Sequence, residues 1–327
     1  MSYDDKKQKL LEKSEKLNEA IESVFKSDKD GLVLKPHHKI EVEELQKQSK
    51  TILGKIQKGE FEIAVIGQED SGKSSLLNAL IKTDIFPSNS GRTTYTSTKL
   101  ISGKEDKAEV KLYTFNEFED IFISRLEAIG VDEKLAKEKG FRNFSPNLNS
   151  YKNEKNNTDI KDLIEDAEET LNFRDEIIEL LEEKGGETVS FDETKLKDVK
   201  EYITGTENDK SKPRATKEIV IYSSKLNAMP NSIIYDVPGF NSPTKLHKEQ
   251  TAKMLKESDS IIFITDVSSP NLKGDELQTL SKGDDIYGVS LKDKVFVFGN
   301  KYDRANNEKE AEDNEKKFKK DVLEKMF

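Results

Sequence analysis

Apolar residues fall into two periods along this chain. Over residues 1–60 they recur at helical spacing, first as Leu10, Leu17, Ala20, Ile21, Val24 and Phe25, then as Ile40, Val42, Leu45, Ile52, Leu53 and Ile56. Asp28-Lys29-Asp30-Gly31 and Pro36 separate the two groups, so the pattern predicts two helices joined by a turn. At Ile63-Ala64-Val65-Ile66 the pattern tightens into a continuous run, the mark of a buried strand, and Leu76, Leu77, Leu80 and Ile81 return to helical spacing. Ser97–Ile101 and Glu109–Tyr113 read as two strands joined at Gly103-Lys104-Glu105-Asp106. Phe115–Ile129 and Ile160–Leu181 read as amphipathic helices separated by the polar Asn147–Thr158, with Gly185-Gly186 closing the second. A strand at Glu218–Tyr222 is expected to fold back through Asn227–Asn231 onto Ser232–Tyr235. There follow a helix over Leu246–Glu257, a buried strand at Ser260–Thr265, a helix near Gly274–Gly283 and a strand at Lys294–Gly299. A lysine- and glutamate-rich helix over Asn306–Phe327 comes last. The predicted class is α/β, a mixed, mostly parallel sheet flanked by helices. It divides into an N-terminal helical segment (1–60), a first core part (61–114), a mainly helical insertion (115–215) and a second core part (216–327).

The junction of the first strand and its helix carries the most specific chemistry. Gly67-Gln68-Glu69-Asp70-Ser71-Gly72-Lys73-Ser74 has the spacing G-x-x-x-x-G-K-S, with a strand before it and a helix after it. Gly67 and Gly72 let the backbone curl so that amides point at phosphate oxygens, and the helix N-terminus adds partial positive charge. Lys73 would reach the β- and γ-phosphates, Ser74 would ligate Mg²⁺, and Ser75 completes the cradle. The segment therefore binds a nucleoside phosphate.

Two further motifs narrow the ligand. The second core part delivers Asp236-Val237-Pro238-Gly239 at a strand end. In phosphoryl-transfer switches such an aspartate orients Mg²⁺, usually through water, and the glycine amide faces the γ-phosphate. Asn300-Lys301-Tyr302-Asp303 is N-K-x-D, also at a strand end. The Asp303 carboxylate can accept hydrogen bonds from guanine N1–H and the exocyclic amine, while Asn300 and Lys301 brace the loop and cover the base. Adenine offers neither donor there, and a site built on such bonds discriminates by roughly 10⁴–10⁵. The ligand is thus GTP or GDP with Mg²⁺. Ile85–Thr94 has the composition of a mobile segment at the place of a first switch, where a threonine closes over Mg²⁺ and the γ-phosphate. Thr94 is the choice there, with Thr93 its rival.

Composition bounds the setting. The chain is 36% charged and 33% hydrophobic with a net charge of −10, which argues against a general nucleic-acid binder; no nucleic-acid partner is expected. It has no cysteine, which excludes a disulfide framework, a thiol nucleophile and a cysteine-based zinc site. His37-His38 has no further ligand at metal spacing and reads as a surface pair. No run approaches the roughly 18 apolar residues of a membrane span, and the N-terminus lacks a signal-peptide apolar segment. The expected location is cytoplasmic, with room for peripheral membrane association.

The motifs GQEDSGKSSLLNAL at 67–80, the Pro87 to Thr94 spacing, DVPG at 236–239 and NKYD at 300–303, behind a leading helical segment, resemble the dynamin-like GTPases. The resemblance is closest to the bacterial branch that includes the labile-enterotoxin-output proteins, and it covers 61–100 and 216–305. It implies a Ras-like P-loop GTPase fold and GTP hydrolysis stimulated when two GTPase domains meet. It also implies coupling through helical bundles to membrane binding or remodelling, with a second copy or a second dynamin-like chain as partner. Dynamins proper carry glutamine and serine at the positions of Glu69 and Asp70. Phe240 follows D-V-P-G, where Ras-type GTPases have a glutamine that positions water, so Glu69, Asp70 and the backbone around Thr94 are the candidates for that task. Lys73 and Thr94 complete the catalytic set. A Ras-like core has one more strand and helix after the N-K-x-D helix. These are expected to be missing here, so that the chain reads as an N-terminal fragment, a split product awaiting a partner chain, or a degraded copy.

Three alternatives stay open at this point. The N-terminal helices read either as a neck relaying motion to a partner bundle or as helices packed on their own domain. The insertion either carries partner specificity or is a solvated elaboration. The whole chain could also be a GTP-binding interaction module with negligible hydrolysis, or an Era-like ribosome-assembly GTPase, a reading that the acidic composition and long insertion weaken.

Overall fold

The computed structural model describes residues 3–28, 35–67, 70–86, 98–145, 147–151, 158–237, 245–269, 280–281, 283–285 and 288–327. The strands are β1 (Phe61–Gly67), β2 (Thr98–Ser102), β3 (Lys107–Leu112), β4 (Thr188–Phe191), β5 (Thr216–Ser223), β6 (Ser232–Asp236), β7 (Ser260–Asp266) and β8 (Val295–Asn300). Among the described residues they form one eight-stranded mixed sheet in the order β4-β3-β5-β2-β6-β1-β7-β8. β1 is buried on both faces. Ile63 and Val65 enter one apolar cluster with Leu77, Ile81 and Leu100, while Ala64 and Ile66 enter a second with Leu255, Phe263 and Val322. This explains its unbroken apolar run. β8 is an edge strand with Phe296 and Phe298 exposed.

Both expected hairpins are replaced by other pairings. β2 does not pair with β3; β5 lies between them, parallel to β2 and antiparallel to β3. Nor does β5 fold back onto β6; β2 takes that place, antiparallel to β6, with Thr98 opposite Asp236. The 103–106 connection wraps the end of β5. The Gly103 amide donates to Ser223 O (3.1 Å), and Asp106 Oδ1 accepts from the Ser224 amide (2.6 Å) and Ser223 Oγ (3.3 Å). Period-two alternation marks a strand but does not specify its neighbour, so adjacency in sequence was the wrong guide here.

The block between 115 and 215 shares the first cluster. α4 (Phe115–Ile129) follows a strand and the nine-residue α3 (Lys73–Ile81), and it starts from a capping box. Thr114 Oγ1 accepts from the Glu117 amide (3.3 Å), and Glu117 Oε2 accepts from the Thr114 amide (3.0 Å). Phe118 and Phe122 of α4 meet Phe141 of α5 (Glu133–Asn143) edge-on at 4.9 and 4.8 Å. The single helix expected over Ile160–Leu181 breaks at Phe173, which has φ −106° and ψ 26°, into α6 (Thr158–Asn172) and α7 (Arg174–Lys184). The block also supplies a strand, β4, which pairs with β3. Its buried phenylalanines make it part of the packed core of this unit rather than a solvated elaboration.

The chain divides into two compact units, residues 62–283 with 290–327, described above, and residues 1–61 with 284–289. In the smaller unit α1 (Tyr3–Ser27) and α2 (Pro36–Lys58) pack together, with Ser14 Oγ 3.4 Å from Ser49 Oγ and Lys50 Nζ 3.5 Å from Glu22. Pro36 opens α2, and Gly59 closes it with a left-handed φ of 68°. Among the described residues no helix is long and apolar enough to cross a membrane.

Candidate functional site: a phosphate loop joined to a base-reading turn

The site begins where β1 turns into α3. Gly67 is required by close approach, because a Cβ there would stand 2.2 Å from Ile264 O of neighbouring β7. Gly72 is required twice over. Its φ of 101° is left-handed, and a Cβ would stand 2.0 Å from Asn300 Nδ2. Asp70 is exposed and also left-handed, at φ 60°. The Lys73 ammonium donates to Gly67 O (2.7 Å), so it folds back over the loop it follows. Ser74 is half-buried and Ser75 exposed in the first turn of α3, while Ser71 is buried beneath the loop.

Asp236 ends β6 with 4% exposure. The amide of the next residue, Val237, donates to Val65 O (3.2 Å), which holds this strand end beside β1 and the loop. Burial pushes the Asp236 carboxyl up to about 6, and the positive charge of Lys73 pulls it only part of the way back. A buried carboxylate facing one ammonium, with a serine hydroxyl in the first turn of α3, supplies the hard oxygen donors that suit Mg²⁺.

β8 brings the third motif. Asn300 Nδ2 donates to Ser71 O (2.9 Å), tying the N-K-x-D turn to the phosphate loop across 229 residues of sequence. Lys301 is left-handed (φ 63°, ψ 31°) and pairs with Asp266 at 3.0 Å, and Asp303 is exposed in the short turn Tyr302–Arg304. Burial raises the Asp266 carboxyl, but hydrogen bonds from Ser268 and Lys301 outweigh it and hold the group below its ordinary value. Gln68, Glu69, Thr93, Thr94, Pro87, Gly239 and Phe240 lie outside the described residues.

Two residues of this neighbourhood escaped the sequence reading. Asn78 of α3 accepts from the amides of Ile85 (3.0 Å) and Phe86 (2.9 Å) and donates to Phe86 O (2.8 Å), fixing the chain that leads into the Ile85–Thr94 segment. Asp266, the last residue of β7, is the second. A polar residue on an otherwise apolar helix stripe and an aspartate closing an apolar strand were the available signals, and both are common without functional meaning.

A phosphate loop and an N-K-x-D turn joined by a side chain, on a mixed α/β sheet, define a guanine-nucleotide-binding GTPase domain. The dynamin family model matches residues 63–288, running through the 115–215 block, and the chain belongs to the dynamin family. Dynamin-like protein A of Bacillus subtilis (strain 168) is 25% identical over 261 residues, covering 79% of this chain and 20% of that protein. Dynamin-like protein 1 of Campylobacter jejuni subsp. jejuni (serotype O:23/36, strain 81-176) is 26% identical over 227 residues, covering 69% of this chain and 26% of that protein. A solved oligomerised bacterial dynamin pair shares the fold, with a TM-score of 0.50 at 21% identity over 98% of this chain and 36% of that one. The chain therefore spans about a fifth to a quarter of the length of these curated relatives.

Proposed function

We propose that this domain binds GTP with Mg²⁺, hydrolyses it, and couples the cycle to self-assembly and to a membrane surface. The observation that carries the reading is the Asn300–Ser71 bond, which makes the base-reading turn and the phosphate cradle one site. In this reading the amides of residues 67–75 and Lys73 hold the phosphates, and Asn300, Lys301 and Asp303 hold guanine. Ser74, Thr94 and, through water, Asp236 would hold Mg²⁺, which offsets negative charge on the β- and γ-phosphates when bound. Water attacks the γ-phosphorus in line as the bond to the bridging oxygen breaks, leaving GDP and inorganic phosphate. Glu69 and Asp70 are the side chains placed in sequence to orient that water. Lys73→Ala is expected to abolish GTP turnover, measured as phosphate release; retained turnover would overturn the reading.

Assembly follows from kinship. The oligomerised pair is described as sensing and tethering membranes, and self-association, a second dynamin-like chain and a lipid surface are the corresponding partners proposed here. Phe240 favours a second reading, a GTP-binding switch with negligible hydrolysis, since phenylalanine cannot position water. Phosphate release measured against protein concentration separates the two. Assembly-stimulated hydrolysis rises faster than linearly, and a switch stays at background at every concentration.

A further inference from the structure

We propose that Asp266 is a positioning residue for the guanine-reading turn, acting through Lys301. The inference rests on the reading of residues 300–303 as the base site. Asp266 closes β7 directly opposite Asn300 of β8, and the Val267 amide donates to Asn300 O (3.0 Å). The two strand ends approach so closely that a Cβ on Gly299 would stand 2.7 Å from Val267 Cγ1. Into this junction Asp266 gathers three donors and one more distant cation. Ser268 contributes its amide (2.9 Å) and its hydroxyl (2.6 Å), Lys301 its ammonium (3.0 Å) and Arg304 its guanidinium at 3.6 Å. The Asp266 and Lys301 side chains are 19% and 15% exposed, so the pair is shielded from solvent, whereas Arg304 is open at 60%.

Lys301 is the residue that needs holding. Its left-handed backbone is uncommon for a side-chain-bearing residue, and such conformations persist where surrounding contacts over-determine them. Here the contacts act from two sides: Asn300 is tied to the phosphate loop, and Lys301 to the end of β7. A lysine stem is otherwise free to sample many rotamers, and anchoring it in advance lowers the ordering cost of binding a base beneath it. Asp303, two residues on, inherits its position from this pair of tethers.

Asp266→Asn keeps an oxygen for the Ser268 amide while removing the charge that holds Lys301, which makes it the informative variant. Fluorescent GDP binding is expected to weaken about tenfold in Asp266→Asn, through faster dissociation, with melting temperature little changed. Lys301→Ala is expected to weaken binding at least as much, and the double variant to be no weaker than Lys301→Ala alone. Ser268→Ala, which removes one hydroxyl donor to Asp266 but leaves its charge and its pair with Lys301, should bind as the parent does. Parental affinity in Asp266→Asn, additive losses in the double variant, or a Ser268→Ala loss matching Asp266→Asn would each overturn the role assigned to Asp266. A parent chain that binds ADP as well as GDP would instead overturn the base-site reading, and the inference with it.

Discussion

Asp236 sits in a conflict between burial and charge that makes it the most informative single residue of the site. Its carboxyl lies near 6 in the folded chain against an ordinary value of 3.8. Above pH 6 the buried group is charged and costs stability. As pH falls from 6 to 3.8 the folded chain takes up a proton that the unfolded chain does not, so stability is regained in that window. Asp236→Asn removes the cost and is expected to stabilise the chain at pH 8 by up to roughly 3 kcal/mol, an advantage that shrinks towards zero near pH 4. Urea unfolding at the two pH values checks this, and the same variant should lose the Mg²⁺-dependent part of its GTP affinity. Position was legible where a motif named it: Gly67, Gly72 and Lys73 lie where β1 passes into α3, and Asp236 and Asn300 each end a strand. Asn78 and Asp266 were not legible, because their partners lie on a loop and a turn whose approach depends on the folded chain.

Local chemistry made some elements legible and not others: α5, capped by Asp132, was not read. The Thr114–Glu117 capping box and Gly130, at φ 104°, bound α4 at the ends its apolar stripe predicted. Pairings between elements were not read, because both expected hairpins depended on adjacency and β5 and β2 cross into each other's places. A buried charge network shows how elements distant in sequence are locked together. Arg214, whose side chain is fully buried in the short helix Ser211–Ala215, pairs with Asp166 (3.0 Å) and Glu169 (2.7 Å) of α6 and donates to Thr170 Oγ1 (2.6 Å). Arg125 of α4 reaches the same Asp166 at 3.3 Å. Removing Arg214 takes a main partner from the partly buried Asp166, which keeps Arg125, and from the more exposed Glu169. Arg214→Ala is expected to destabilise the larger unit by about 1–3 kcal/mol, read from the urea midpoint.

At the scale of the molecule, guanine-nucleotide binding should be visible as stability. A ligand at a hundredfold excess over its Kd stabilises the folded state by about 2.7 kcal/mol, so GDP should raise the melting temperature where ADP at the same concentration does not. Equal shifts by both nucleotides would contradict the assignment of Asp303 to guanine. The motifs and their order were enough to place the chain with the dynamin-like GTPases, and the family match over 63–288 agrees. The amino-acid sequence by itself determined β1 and α3 on either side of the 67–74 loop, the N-K-x-D turn at the end of β8 and the ends of α4, because turn geometry, capping and periodicity act over a few residues. Only the tertiary structure decided that β5 lies beside β2, that the phenylalanines of 115–144 belong to the sheet's own core, and that Asn300 reaches Ser71. Those outcomes depend on which apolar faces find each other and on hydrogen bonds spanning more than a hundred residues, and no local pattern encodes them.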